Sequence, residues 1–339
     1  MKKYLLPNSG KYYKANLHTH TTVSDGQLTP EEVKTLYKSR GYSILAYTDH
    51  EVIALHNDLA DEEFLPITSY EISTNEDGFN DFGYVRTYHI NLYAKDPNNS
   101  VSPVWTAKKI WPGHALAYAS KEQLAVDWMR HYSVDKINEL IKLANENGFL
   151  VCYNHPVWSL QDRRDYGDLK GLWGVEVYNT GCVHEGFPDT EQPLDDLLRM
   201  NENVFPIAAD DMHHPKDSCG GWTMVKAEKL EYKAVMDALE KGDFYSSTGP
   251  AIQDLYVEDG IVHLSCSPVK AVFLTTDRRW TKKATSADGS LTKAELDING
   301  WMECNAVENK RSRPYIRLVL IDEQGNKAYT RAYYEEELK

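Results

Sequence analysis

Short apolar runs alternate with helix-forming stretches from residue 12 to about residue 250. Apolar runs bounded by turn-forming residues are typical of buried strands. We predict seven strands: Ala15–Leu17, Ile44–Tyr47, Pro66–Ser69, Tyr88–Tyr93, Leu150–Tyr153, Gly174–Tyr178 and Val204–Ala208. Helix-start patterns follow several of them, such as a threonine cap and a proline ahead of two acids at Thr29–Glu32. Repeated strand–helix units predict a parallel α/β fold, and seven strands favour a barrel.

Two segments depart from this pattern. Residues 96–120 hold prolines and tryptophans without periodicity, and residues 121–147 form the longest helical pattern. We interpret residues 96–135 as an inserted loop and helix, which either covers a site or is a rigid surface excursion. After Gly249-Pro250 helix-forming patterns nearly vanish, so we predict a first domain over 1–250 and a small, sandwich-like all-β domain over 251–339.

Metal-competent side chains lie near the ends of the predicted strands. His18-Thr19-His20 ends the first strand, and residues two apart on an extended chain point to the same side, so both imidazoles can reach one ion or two adjacent ions. The further candidates are Asp25, His50, Glu71, His89, His155, Asp211 and His213. Each alone is more often an ordinary polar residue. Together they predict a metal centre, because the active sites of parallel α/β barrels lie at the C-terminal ends of the strands.

The order of these motifs resembles the polymerase and histidinol phosphatase (PHP) superfamily. The shared pattern is HxH, SDG, TDH, a glutamate after the third strand, HI, NHP and DxH, over about residues 12–250. The resemblance implies a distorted seven-stranded (β/α)7 TIM-like barrel, and the tail after residue 250 is similar to the β-domain of some stand-alone members. Many members carry histidine where Asp25 lies, and the SDG version is similar to the nucleotide-phosphatase branch.

The resemblance also implies three adjacent metal sites. They are His18 with His20, Glu71 and Asp211; Glu71 with His89 and His155; and Asp25 with His50 and His213. We favour Asp211 over the neighbouring Asp210, because chain alternation places Asp211 on the same side as His213. Imidazole and carboxylate ligands suit Mn, Fe or Zn without singling one out, and we expect two or three such ions.

The implied reaction is hydrolysis of a small-molecule phosphate ester, such as a nucleotide or another phosphorylated metabolite, by metal-activated hydroxide. His213, His50 and Asp25 are the predicted catalytic residues, with His213 a candidate acid for the leaving alkoxide. Three further residues are candidate substrate contacts: Arg130 and His131 on the predicted long helix, and Asn179 at the end of the sixth strand. A solvated helix face and turn chemistry are the respective alternatives.

The balance of charged residues argues against two classes of binding partner. With 37 Lys+Arg against 51 Asp+Glu, the net charge of -14 argues against a nucleic-acid polymer or an anionic membrane as the main partner. Bound cations would still attract an anionic substrate. The five cysteines are scattered, and no apolar run approaches the ~20 residues of a membrane span, so we expect a soluble, cytoplasmic protein.

Two other functions fit the same motifs. A metal centre could instead hydrolyse an amide, a carbamate or a carboxyl ester, since metal hydroxide serves carbonyl chemistry equally well. A non-catalytic metal-binding module is the third hypothesis. Asp49, next to His50, either orients an imidazole or organises a turn.

Overall fold

A computed structural model describes residues 2–76, 85–106, 115–121, 127–200, 202–305 and 312–339. Its strands are β1 (Lys3–Tyr4), β2 (Lys11–Asn16), β3 (Ile44–Tyr47), β4 (Leu65–Asn75), β5 (Thr87–Ala94), β6 (Phe149–Tyr153), β7 (Gly174–Asn179), β8 (Phe205–Ala209), β9 (Trp222–Ala227), β10 (Phe244–Ser247), β11 (Ile252–Glu258), β12 (Ile261–Val269), β13 (Ala271–Thr276), β14 (Thr281–Thr285), β15 (Leu291–Asp297), β16 (Tyr315–Ile321), β17 (Lys327–Thr330) and β18 (Tyr333–Tyr334). Its helices are α1 (Pro30–Ser39), α2 (Ala115–Tyr118), α3 (Val134–Glu146), α4 (Arg163–Tyr166), α5 (Thr180–His184), α6 (Gln192–Arg199), α7 (Tyr232–Lys241), α8 (Asn299–Asn305) and α9 (Glu335–Leu338), with 3-10 turns at Asn57–Leu59 and Pro215–Asp217.

Strands β2 to β8 are neighbours in chain order within one mixed sheet. Parallel pairing joins β2, β3 and β4, and again β6, β7 and β8. Past the strand ends, the Asp211 N–H donates to His18 O (2.9 Å) and the His20 N–H to Met212 O (3.0 Å), which links the two ends of the run. Helices lie between several of these strands, so the α/β class is confirmed, whereas the seven-stranded barrel stays a prediction.

The all-parallel arrangement is wrong at one strand. β5 runs antiparallel to both β4 and β6, with Ser69 opposite Tyr93 and Asn75 opposite Thr87. β4 and β5 are joined by the eleven residues 76–86, slightly fewer than the dozen or more that a parallel crossover needs. Apolar pattern alone does not reveal the direction of a strand.

Helix α1 forms as its sequence predicts. Thr29 and Glu32 make a capping box, in which the Glu32 N–H donates to Thr29 Oγ1 (3.3 Å) and the Thr29 N–H to Glu32 Oε2 (2.9 Å). Val33 and Tyr37 are buried on its inner face. The helix thereby brings the Tyr37 hydroxyl under the ends of the strands.

The long helix is shorter than predicted. It begins at Val134, where the Ser133 side chain accepts a hydrogen bond from the Lys136 N–H (3.3 Å), and residues 127–133 are not helical. A serine cap followed by Asp135 in the first turn is the sequence pattern that marks this start. The placement of Arg130 and His131 on a helix was therefore wrong. Residues 107–114 and 122–126 of the insert lie outside the described residues, so a covering role remains a prediction.

The strands after residue 250 form two layers. One sheet has the order β1-β11-β12-β15, and the other continues from β14-β13-β16-β17 through β10 and β9 to β2. Buried Leu264 and Leu274 belong to the core between them, as do Leu5 and Leu6 from the N-terminal segment. The division at residue 250 stays a prediction. No helix within the described ranges is long and apolar enough to cross a membrane.

Candidate metal centre

All nine predicted ligand residues lie together at one edge of the mixed sheet. Their imidazole nitrogens and carboxylate oxygens fall into overlapping groups, and within each group the atoms lie within 4.8 Å of one another. The groups are His20, Asp25, His50 and His213; His18, His20, Glu71 and Asp211; Glu71, His89 and His155; and His18, His155 and Glu176. The second group shares His20 with the first, Glu71 with the third and His18 with the fourth, so all four groups form one continuous cluster.

Strand direction explains how His89 reaches the cluster. It is the third residue of β5 and lies near the start of that strand, not near its C-terminal end as predicted. Because β5 is antiparallel to its neighbours, its beginning lies at the edge where β6 ends, and the Asn154 N–H donates to His89 O (3.0 Å). His155 follows directly.

Glu71 lies at the middle of the cluster and is 1% exposed. Its Oε1 is 3.1 Å from His89 Nδ1, 3.3 Å from His18 Nε2 and 3.6 Å from His155 Nε2. Its Oε2 is 3.3 Å from both His20 Nε2 and His50 Nδ1. The cluster thus has two halves, with His18, His89 and His155 around Oε1 and His20 and His50 around Oε2. A carboxylate that bridges two metal ions needs this arrangement, with one oxygen facing each half.

Glu176 is a functional residue that the sequence reasoning missed. Its Oε1 is 2.7 Å from His18 Nδ1, and its Oε2 accepts from the His155 N–H (3.0 Å). A carboxylate on the outer nitrogen of a ligand histidine fixes its tautomer and ring orientation, so His18 Nε2 points into the cluster. The available pattern was an acid inside the otherwise apolar strand β7, because charged residues are rarely buried without a partner.

The structure separates the roles of the two adjacent aspartates. Asp211 has a left-handed backbone (φ 53°), and its Oδ1 lies 3.2 Å from His18 Nε2 and 3.1 Å from His20 Nε2. Asp210 points the other way, where its carboxylate accepts from the Tyr37 hydroxyl (2.8 Å) and the Thr180 hydroxyl (2.6 Å). The geometry thus places Asp211 in the cluster and gives Asp210 a structural role.

The cluster opens toward solvent at Asp25 and His213, whose side chains are 24% and 31% exposed. His213 Nε2 lies 3.3 Å from Asp25 Oδ2, and the His213 and His20 rings stack at 4.0 Å. Asp49 accepts from the Thr21 and Ser24 N–H groups (2.8 and 3.2 Å) and so holds the turn that presents Asp25. Of its two readings, turn organisation is the one that the contacts support.

The three predicted substrate contacts have different surroundings. The Arg130 guanidinium forms a buried ion pair with Glu51, so its fork is already filled by a carboxylate. His131 is exposed. Asn179 lies beside the cluster, where its Nδ2 donates to Asp211 Oδ2 (3.2 Å) and its Oδ1 caps α5. These contacts favour an orienting role for Asn179.

The pKa values of the titratable groups in the cluster are shifted in different directions. Burial raises the pKa of Glu71, but the neighbouring imidazoles, His18 foremost, hold it well below its usual range. Burial lowers the pKa of His20, yet the carboxylates of Asp211 and Glu71 outweigh this and raise it to about 10. Burial lowers the pKa of His50 to about 3. These pKa directions favour an ionised Glu71 carboxylate and a protonated His20 imidazole at neutral pH in the metal-free protein.

The donor set fits divalent metal ions. Within the described part of the chain, several buried ligand atoms find no hydrogen-bond partner: His20 Nδ1, Glu71 Oε2, His155 Nε2 and Asp211 Oδ1. Buried polar atoms without partners are costly, and a bound cation would satisfy the nitrogen and oxygen lone pairs at once. Imidazole and carboxylate donors without thiolates match Mn, Fe or Zn.

No protein-family model and no curated protein matches the chain. Among solved structures, a two-domain protein from Bacteroides vulgatus, described as containing a predicted PHP-like metal-dependent phosphoesterase, is 15% identical, with 98% of this chain and 91% of that chain covered and a TM-score of 0.46. An amidohydrolase from Chromobacterium violaceum is 15% identical over 68% of this chain and 96% of that chain (TM-score 0.44). The lesion-specific endonuclease EndoQ from Pyrococcus furiosus is 12% identical over 68% of this chain and 56% of that chain (TM-score 0.44). At these identities the likeness by itself assigns no activity.

Metal uptake by this cluster is expected to weaken as the pH falls. The pKa of His20, raised to about 10 by the nearby carboxylates, favours a protonated imidazole in the metal-free protein at pH 7, and a metal ion would have to displace that proton. Affinity for Mn²⁺ should therefore rise by about tenfold per pH unit between pH 6 and pH 8, with at least one proton released. Calorimetric titration in buffers of different ionisation enthalpy measures both quantities. A Kd that stays constant over this range would contradict the assignment of His20 as a ligand that loses a proton when the metal ion binds.

Proposed function

We propose that this protein is a metal-dependent hydrolase that cleaves the phosphate ester of a small molecule. The observation that carries the proposal is the cluster of nine imidazole and carboxylate side chains with Glu71 facing both of its halves. Structural cations rarely need a solvent-open cluster of this size, whereas hydrolytic centres keep open positions for water and substrate.

Charge favours a phosphate over a neutral ester. The four carboxylates of the cluster, Asp25, Glu71, Asp211 and Glu176, carry a formal charge of -4, which two divalent ions would balance and three would exceed, so the loaded cluster is neutral to positive within an acidic protein. When bound, such ions supply Lewis acidity, which makes water a stronger nucleophile at neutral pH and offsets charge on phosphoryl oxygens.

The side chains in and around the cluster have two further roles, which are to orient the ligand imidazoles and to protonate the leaving group. Glu176 holds the His18 ring, and Ser159 Oγ lies 3.2 Å from His155 Nδ1, so both inner nitrogens are fixed. The open side at Asp25 and His213 is where a substrate enters. We assign His213, with Asp25 next to its Nε2, to protonate the leaving alkoxide when the group of His20, Asp25, His50 and His213 holds no ion; with an ion on that Nε2, water would supply the proton instead.

The test combines a metal count with a substrate panel. The purified protein is analysed for Mn, Fe and Zn, and the same sample is assayed with nucleotides, sugar phosphates, carboxyl esters, an amide and a short single-stranded oligonucleotide. Two or three ions per chain with phosphate release from a small molecule are expected. Cleavage of carbonyl substrates alone would establish the amide or ester reading, and cleavage of the oligonucleotide alone would overturn the small-molecule assignment.

Two further outcomes bear on the proposal. Fewer than one tightly bound ion per chain, with no activity restored by added metal, would overturn the hydrolase assignment and leave a binding role. A His213→Asn variant with intact metal content and unchanged kcat would remove His213 as the acid.

A further inference from the structure

The segment after strand β3 bends at a residue that is not a glycine. Glu51, directly after His50, has a φ of 70°, a left-handed conformation that L side chains rarely adopt. Its N–H donates to Glu71 O (2.7 Å), so the bend joins the backbones that carry two members of the metal cluster. Backbone strain of this kind persists only where the surrounding contacts hold it.

An ion pair supplies that restraint. Arg130 Nη1 donates to Glu51 Oε1 (2.6 Å) and Nη2 pairs with Oε2, so the guanidinium and carboxylate meet as two parallel forks. The side chains are 6% and 0% exposed. Ser73 donates from its N–H (3.0 Å) and its hydroxyl (3.1 Å) to the same Oε1, which anchors the pair on strand β4.

The arginine comes from the insert. Arg130 Nη1 also donates to Ser73 O, and Nη2 donates to Val104 O (3.4 Å), so it ties the described stretches 96–106 and 127–135 of the insert to β4. Val104 and Trp105 are buried, and the Trp128 N–H donates to Trp105 O (3.0 Å). The Arg130–Glu51 pair is therefore the polar centre of a packed junction next to the cluster.

We propose that Arg130 and Glu51 are positioning residues for the metal-binding group of His20, Asp25, His50 and His213. The pair fixes the left-handed bend after His50 and with it the imidazole, whose Nδ1 lies 3.3 Å from Glu71 Oε2 and Nε2 3.6 Å from Asp25 Oδ2. A bidentate pair sets direction as well as distance, which lysine cannot reproduce. The proposal rests on the proposed function, because it concerns the same metal centre.

Equilibrium dialysis against Mn²⁺ with elemental analysis tests the proposal, with thermal unfolding measured in parallel. Arg130→Lys is expected to weaken the most weakly bound ion by at least about tenfold, while the ion at His18 and Asp211 is retained. The effect should disappear in a His50→Ala background, where that ion has already been lost. An Arg130→Lys protein with wild-type metal stoichiometry and affinity would overturn the proposal.

Arg317→Lys is the matched control. Arg317 is 4% exposed on the side chain and pairs with Glu191 (2.7 Å) and Asp195 (2.8 Å), so its replacement disturbs a buried ion pair outside the metal cluster. It should lower the Tm without changing metal uptake. Equal metal loss in both variants would show a general structural effect and overturn the proposal.

If Arg130→Lys does not fold, the double variant Arg130→Met with Glu51→Met removes both buried charges together, a replacement that proteins often tolerate. It should fold and still lose the weak ion, and wild-type metal uptake by it would overturn the proposal. A wild-type protein that binds no metal would instead show the failure of the proposed function.

Discussion

Replacing Glu71 by glutamine is expected to remove most of the bound metal and to lower kcat/KM by about a thousandfold. The reason is its position, with Oε1 within 3.6 Å of three imidazoles and Oε2 at 3.3 Å from two others. A carboxamide keeps the shape but loses the charge and one acceptor oxygen. Charge stabilisation by a metal ion is worth several kcal/mol, and each ~1.4 kcal/mol is tenfold in rate. Elemental analysis and steady-state kinetics on the same sample measure both effects.

Glu335→Gln provides the comparison. Glu335 is also buried, at 6% exposure, but lies in α9, next to Lys339. This variant should keep the wild-type metal content and kcat/KM. If Glu71→Gln binds the same ions with an unchanged Kd, Glu71 is not the bridging ligand and the two halves of the cluster are separate sites.

Strand positions followed from the sequence more closely than strand directions did. Ile44–Tyr47 was predicted with its observed bounds, because a short apolar run between polar turns has few alternative placements. The direction of β5 was wrong, since β4 and β5 form a hairpin and an apolar strand has the same pattern in either direction. Parallel pairing therefore has to be inferred from connection length.

The cluster itself was predictable because its members carry chemistry that few other roles require. Histidines and carboxylates recur after consecutive strands, and the residues that follow parallel strands lie together at one edge of the sheet. Glu176 and Glu51 escaped prediction for a physical reason. Each pairs with another side chain, Glu176 with His18 and Glu51 with Arg130, and such pairings join residues that are remote in sequence.

Arg130 shows the limit of composition-based reasoning. Arg130 was a candidate phosphate contact, with a solvated helix face as the alternative, because guanidinium groups bind phosphate in a bidentate manner. The same fork binds a carboxylate equally well, and the structure places that of Glu51 there. The chemistry of the guanidinium group indicates that its partner is an oxyanion. Only the fold determines which oxyanion lies beside it.

The second large effect is expected from exchanging each of the adjacent aspartates for asparagine. Asp211→Asn should lose metal and about a thousandfold in kcat/KM while remaining folded, since its carboxylate faces the ligand histidines. Asp210→Asn should keep its metal but lower the free energy of unfolding by about 3 kcal/mol. Its carboxylate accepts five hydrogen bonds, from Tyr37, Thr180 and the N–H groups of Cys219, Gly220 and Gly221.

The magnitude for Asp210 follows from those donors. A carboxamide offers one acceptor oxygen and turns its NH2 toward donors that need an acceptor, so at least one or two buried donors lose their partner at about 1–3 kcal/mol each. For a chain of this length the Tm should fall by about 4 °C. Calorimetry and metal analysis of both variants separate the two roles, because each variant is the control for the other. Loss of metal in Asp210→Asn with full retention in Asp211→Asn would reverse the assignment and place Asp210 in the metal centre.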